Sequence, residues 1–431
     1  MGWGDVGYNG QKKIKTPNID ELANRGLKFN QFYAGSSVCA PSRASLLTGV
    51  NTAHAHIREL SAWTASGNPI DLKDEEITLA EELKKKNYKT GIIGKWGLEE
   101  GAGTGMPNKQ GFDYFFGFKT HTEAHHYYPE YYWENGIKIK QPNNNPKEKI
   151  GEYSNDVFYR KAVEFIKENK EDPFFLYLPF TVPHNEITVP NNSKEQYQGL
   201  GWPKRHMQSG HYFHDQEGNL AYAGMVSRFD SYIGGIQKSL KEEGLIENTI
   251  IIITSDNGPG FDNGFFKSSG PFRGGKLQLY EGGIRVPFVL SWPKKVKSGR
   301  EIDSAFHFCD IYSTISHIAD VKIDKEIDGI SFLPSILNHG EQKYHDFLYW
   351  EINESKGPIQ AIRIGDWKGI KFHEKPFELF NIKNDPSEMY NLSKEYPEIV
   401  NKIKEIMVNT RTDNPEFPLT KRTPNYDNTT N

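Results

Sequence analysis

The chain has 431 residues, with 52 Lys+Arg against 56 Asp+Glu and a net charge of −4. That balance excludes the basic footprint of a nucleic-acid binder and the polybasic anchor of a membrane-surface protein. Apolar residues make up 36% and charged residues 25%, a globular composition, and no apolar run approaches the ~18 residues of a membrane span. The two cysteines, Cys39 and Cys309, exclude a disulfide framework, and no C-x-x-C pair offers a zinc site. One bridge between them is the most the count allows.

The elements follow in chain order. Gly2-Trp3-Gly4-Asp5 is a glycine-rich turn, and no signal peptide precedes it. Residues 75–87 read as a helix with Ile77, Leu79, Ala80 and Leu83 on one face. Strands are predicted at 88–93 and 173–178, and a long amphipathic helix at 219–243. Residues 249–254 (Thr-Ile-Ile-Ile-Ile-Thr) are the clearest strand, and their continuous β-branched character predicts a parallel sheet covered on both faces. A strand at 286–291 and a helix at 310–319 follow. Strands alternating with helices predict an α/β fold with a doubly wound, mostly parallel sheet.

Past residue 340 the texture changes. Short strands at 360–364, 368–372 and 377–380 read as an antiparallel meander. A last helix at 397–409 opens on Pro397, with Ile399, Val400, Ile403 and Ile406 as its apolar stripe. The predicted organisation is therefore a large α/β domain over 1–340 and a small C-terminal α+β subdomain over 341–431.

Ligands of open α/β sheets gather beyond the carboxyl ends of the strands. Three strand ends here carry chemistry: Gly94-Lys95, Pro183-His184 and Ser255-Asp256-Asn257-Gly258. Asp256 and Asn257 are hard oxygen donors that suit Ca²⁺ or Mg²⁺ better than zinc. The same pair alone equally describes an Asx turn. Cys39 stands before a short helix that Pro41 would open and Gly49 would stop. A group at position 39 would lie over the anion-attracting helix start, with the Arg43 fork one turn in. A buried structural cysteine is the alternative.

Cys39-Ala40-Pro41-Ser42-Arg43, continued by Leu46-Leu47-Thr48-Gly49, resembles the C-x-P-S-R signature of formylglycine-dependent sulfatases, which have an alkaline-phosphatase-like fold. The resemblance spans most of the chain. Thr16-Pro17-Asn18-Ile19-Asp20, Gly94-Lys95-Trp96, Ser255-Asp256-Asn257-Gly258-Pro259, Arg273-Gly274-Gly275-Lys276 with Tyr280 to Pro287, and Ile364-Gly365-Asp366-Trp367-Lys368 with Asn384-Asp385-Pro386 follow in the family's order.

The resemblance implies hydrolysis of sulfate esters, with a sulfated glycan as substrate. A separate maturation enzyme would oxidise Cys39 to formylglycine. One oxygen of its hydrate would attack sulfur, and the other would lose its proton to expel sulfate. Asp256, Asn257 and residue 39 would hold Ca²⁺, or Mg²⁺ in its place. Lys95 and Lys276 would clamp sulfate oxygens, Arg43 would steady the diol, and His184 would contact sulfate or protonate the leaving oxygen. A periplasmic or secreted location is implied as well.

Two departures from the family pattern carry expectations. The family's first strand and its adjacent metal-ligating aspartates would lie immediately before Gly2. Their absence predicts an N-terminally truncated chain, shorn of its secretion signal and with unpaired edges on neighbouring strands. No ligand role passes to Asp5. Many relatives read G-K-W-H-L, and here Gly97 replaces the histidine, leaving His125 and His126 as candidate substitutes. The competing readings are a phosphate or phosphonate ester hydrolase of the same superfamily, and a non-catalytic glycan-binding remnant.

Overall fold

The computed structural model describes residues 1–60, 64–101, 103–205, 212–260, 264–296, 299–354 and 357–421. The last ten residues assigned to the C-terminal subdomain, 422–431, lie outside the described residues.

The α/β class holds, and the sheets are mixed. A five-stranded sheet runs in the order Ile137–Lys140, Tyr131–Glu134, Tyr114–Phe118, Lys89–Lys95, Phe174–Tyr177. Its last three strands are parallel, and its first two form an antiparallel hairpin. A four-stranded sheet orders Arg300–Ile302, Leu27–Phe29, Val289–Ser291 and Ile251–Ile253, and only its first pair is parallel. The Ile251–Ile253 strand therefore departs from the expectation. It pairs antiparallel with Val289–Ser291 at the sheet edge, and Ile251 and Ile252 are only partly buried. A run of β-branched residues reports burial, whereas strand direction is set by the connections.

Local chemistry explains the helix that came out shorter than its apolar pattern. Thr78 caps Leu79–Lys84: its hydroxyl accepts from the Glu81 N–H at 3.2 Å, and the Glu81 carboxylate accepts from the Thr78 N–H at 2.7 Å. This reciprocal box sets the start inside the predicted span. Asn87, at φ 61°, lies just past the helix's last turn. The Ser154–Glu168 helix lays Val157, Phe158, Ala162 and Phe165 against Ile93, Phe116 and Phe118 of the five-stranded sheet. Gly218–Glu242 is the long helix predicted at 219–243.

The C-terminal strands Leu348–Glu354, Gly357–Ile364, Trp367–Phe372 and Glu378–Asn381 form an antiparallel sheet, with Pro397–Thr410 packed on it. Its other face, through Trp350, Ile359 and Ile370, joins one core with Phe29, Phe32 and Phe288. The Trp350 indole N–H donates to the Ala34 carbonyl at 2.9 Å.

Phe174–Tyr177 and Ile251–Ile253 both end their sheets, and both line a single cavity of about 800 Å³. At one end of the cavity the Met1 nitrogen lies 3.1 Å from Ser255 Oγ. Asp5 is fully buried and accepts from the Gly2 N–H and the Tyr222 hydroxyl, each at 2.7 Å. These bonds hold the N-terminal turn in place.

Candidate active site

Cys39 is itself the first residue of the Cys39–Thr48 helix, with Val38 as its extended cap residue. The sequence had put the start at Pro41. No side chain caps this end, so the first backbone N–H groups keep their pull on an anion. Gly49, at φ 76°, ends the helix as expected.

Lys95 closes its strand with its ammonium 3.5 Å from Cys39 Sγ. Arg43, one helical turn from the cysteine, grips Asp256 Oδ2 through Nε at 2.9 Å and Nη2 at 2.8 Å. Its Nη1 donates to the Lys95 carbonyl at 2.5 Å. In this state Arg43 thus ties the strand end carrying Lys95 to the turn carrying Asp256. That turn is tight: Gly258 N–H donates to the Gly283 carbonyl at 2.9 Å, and a Cβ on Gly258 would lie 1.9 Å from the Gly282 carbonyl oxygen. Only glycine fits there. Lys276 comes from a loop held by its N–H to the Pro259 carbonyl at 2.9 Å.

Burial raises the Cys39 thiol, but Lys95 and Lys276 outweigh it and bring the pKa down to about 7. Burial likewise opposes ionisation of Asp256, yet Arg43, Lys276 and Lys95 bring it down to about 2. Burial lowers Lys95. The cavity is therefore a cationic well around one ionisable sulfur.

The Lys276 ammonium lies 2.9 Å from His184 Nε2. An ammonium only donates, so Nε2 accepts and the proton sits on Nδ1. Burial, then Lys276 and Lys95, holds His184 well below its ordinary range, so it is a neutral imidazole. Its Nδ1 is buried and has no hydrogen-bond partner among the described residues. His184 can thus offer an N–H to a ligand oxygen, and it is no reservoir of imidazolium near pH 7.

The two other histidines separate. His125 stacks behind His184, ring centroids 5.4 Å apart and 16° from parallel. His126 pairs instead with buried Glu186 at 2.6 Å, which Lys149 also contacts at 2.9 Å. Gly97 sits at φ 74°, and a Cβ there would lie 3.2 Å from Lys95 Cε. The backbone itself disfavours a side chain at that position.

Oxygen donors for a cation are present. The Asn257 amide nitrogen donates to the Gly258 carbonyl at 2.7 Å, which leaves Oδ1 buried with no partner among the described residues. Such an orphaned oxygen beside an ionised carboxylate fits a hard cation. Among the described residues no cluster of three or more His, Cys, Asp or Glu side chains could hold a metal ion, so these two side chains are a partial ligand set.

Sequence reasoning missed how the Lys276 loop is braced. Arg273 Nη1 donates to the Glu388 carbonyl at 2.9 Å, and the Tyr280 hydroxyl to Glu378 at 2.8 Å. Glu281 and Glu388 share the wholly buried Lys368 ammonium, each at 2.9 Å. Lys368 lies in one of the motif blocks, but nothing in the chain pairs it with Glu281, 87 positions away.

A nucleophilic position at a helix start, ringed by cations on the carboxyl rim of an α/β sheet, defines a hydrolase site for anionic esters. Residues 1–321 match the Sulfatase family, and residues 274–413 match the C-terminal region of N-sulphoglucosamine sulphohydrolase. The chain belongs to the sulfatase family. It is 29% identical over 395 residues to N-acetylgalactosamine-6-sulfatase of Mus musculus, covering 85% of this chain and 69% of the relative. It is 27% identical over 498 residues to N-acetylgalactosamine-6-O-sulfatase of Bacteroides thetaiotaomicron, covering 96% and 91%. The solved structure of Ps i-CgsB in complex with k-i-k-neocarrahexaose superposes with a TM-score of 0.80 at 28% identity, over 97% of this chain and 92% of that one. Phosphonate monoester hydrolase of Agrobacterium radiobacter shares the fold alone, with a TM-score of 0.69 at 18% identity over 95% and 93%. Among the described residues no helix is long and apolar enough to cross a membrane.

Proposed function

We propose that this protein hydrolyses sulfate esters of a sulfated carbohydrate in the periplasm or outside the cell, after a maturation enzyme converts Cys39 to formylglycine. The observation that carries this reading is the 3.5 Å approach of Lys95 to Cys39 Sγ, with Arg43 and Lys276 contributing to the same low thiol pKa. A transferring sulfuryl group is negative on its oxygens and needs such fixed cations. Lys95 and Lys276 bind and orient the ester, and the uncapped helix start adds backbone donors. His184 offers its Nδ1 proton to the bridging or leaving oxygen while Lys276 holds its other nitrogen. Arg43 keeps Asp256 ionised and in place. Asp256 and Asn257 Oδ1 would hold Ca²⁺, or Mg²⁺. When present, formylglycine supplies a hydrated aldehyde as nucleophile, and the cation supplies charge stabilisation. The division at residue 340 belongs to the same proposal, the C-terminal sheet serving to brace the Lys276 loop.

Mass spectrometry of the Cys39 peptide, from protein made alongside a maturation enzyme, tests the reading. An aldehyde in place of the thiol, together with sulfate release from sulfated oligosaccharides, is expected. Full turnover by protein with an intact thiol would overturn it.

A further inference from the structure

The antiparallel hairpin at the edge of the five-stranded sheet is built unlike its neighbours. Tyr132 points inward and is fully buried. By alternation Tyr131 and Trp133 share the opposite face. Register places Lys140 and Lys138 beside them: Tyr131 pairs with Lys140, and Trp133 with Lys138. The Lys138 ammonium lies 3.9 Å from the Tyr131 ring centroid and 5.2 Å from that of Trp133, and the Lys119 ammonium lies 5.2 Å from Trp133 while also pairing with buried Glu99 at 3.5 Å. Both rings are fixed in advance. Glu123 Oε1 accepts from the Tyr131 hydroxyl at 2.9 Å and from the Trp133 indole N–H at 3.0 Å, while Oε2 accepts from the Lys119 and Thr120 N–H groups. Glu123 thus orients two partly buried aromatic rings, of which Trp133 also packs against the main core.

The position relative to the cationic well follows from the sheet register. Trp133 pairs with Gly117, and Gly117 pairs with Gly94, the residue before Lys95. Two strand spacings put the Trp133 backbone about 10 Å from that of Gly94. The Gly97 N–H donates to the Lys119 carbonyl at 3.0 Å, which ties the two loops together on one rim. A short oligosaccharide covers this reach. Aromatic faces stack against the C–H faces of sugars, and ammonium groups pair with sulfate.

We infer that Tyr131, Trp133, Lys119 and Lys138 form an auxiliary subsite for a second sulfated sugar unit, one that is bound and not cleaved. This rests on the reading of the protein as a carbohydrate sulfatase and names the substrate as an oligomer.

The test compares a chondroitin 6-sulfate tetrasaccharide with N-acetylgalactosamine 6-sulfate, using wild type and the Tyr131→Ala/Lys138→Gln double variant. The ratio of kcat/KM for the tetrasaccharide over the monosaccharide should fall at least about fivefold, through KM. Tetrasaccharide binding to Cys39→Ala protein should weaken by a similar factor when the two hairpin changes are added. An unchanged ratio with unchanged binding would overturn the subsite. The milder Trp133→Phe variant, which keeps a ring and loses only the indole N–H, guards against misfolding and should retain most of the ratio. Failure of wild type to desulfate either sugar, with tetrasaccharide binding intact and dependent on the hairpin, would instead overturn the enzymatic reading and leave the subsite standing.

Discussion

Cys39 and Cys309 make a natural comparison. Each is the first residue of a ten-residue helix, each is buried, and each is a free thiol. Their chemistry is opposite. Around Cys39, three cations bring the thiol down to about 7 despite burial. Around Cys309, burial acts first, and Asp310 and Asp328 reinforce it, so the thiol rises well above its ordinary value. Its neighbour His307, 3.0 Å from the sulfur, cannot help, because burial holds that imidazole down to about 3. A shared helix position thus decides little. The signs of the side chains brought in from other elements decide whether the sulfur can ionise.

The contrast predicts its own largest effect. Cys39→Ala should abolish sulfate release, by at least about a thousandfold in kcat. Cys309→Ala should leave kcat within about twofold and cost only about 1 kcal/mol of stability. Comparable losses of turnover in the two variants would break the comparison.

Next come the cations themselves. Lys95→Ala should lower kcat/KM by about a hundredfold. In unmatured protein, Cys39 should be alkylated by iodoacetamide with a midpoint near pH 7, and Lys95→Ala should move that midpoint upward, while Cys309 stays protected. A midpoint that ignores Lys95 would assign the thiol's acidity to the helix start instead.

Asp256 sharpens the comparison from the acid side. Its folded pKa of about 2 lies below the ordinary 3.8. Its contribution is therefore fully present above pH 3.8 and is lost as pH falls toward 2, an effect of about 2 kcal/mol. Urea midpoints taken down this range should fall less steeply for Asp256→Asn than for wild type.

The smallest effect concerns Gly97. Gly97→Ala places a Cβ at φ 74° against Lys95 and should cost roughly 1–2 kcal/mol in urea unfolding. No loss there would mean that the backbone readily relaxes and that a histidine could have been accommodated.

How much of this was readable in the chain depends on the range of the interaction. The Pro397–Thr410 helix and the C-terminal meander were legible because their apolar periods and turn residues are local. The Cys39, Lys95, Asp256, Asn257 and Lys276 positions were legible because each sits in a short motif at a strand or helix end, and the structure brings them to one cavity. His125 and His126 could not be told apart. Their difference lies in a ring stacked from one loop and a carboxylate supplied from another.

The amino-acid order alone determined the α/β class, the motif blocks and the place of Cys39 at a helix start, since periodicity and contiguous signatures need no knowledge of what lies across space. Tertiary structure decided which strands run antiparallel, which nitrogen of His184 bears its proton, what holds the Lys276 loop, and why one buried thiol is acidic and the other inert. Each of those outcomes is set by electrostatic and hydrogen-bond partners tens to hundreds of residues away, and Coulombic effects follow distance in space and not separation along the chain.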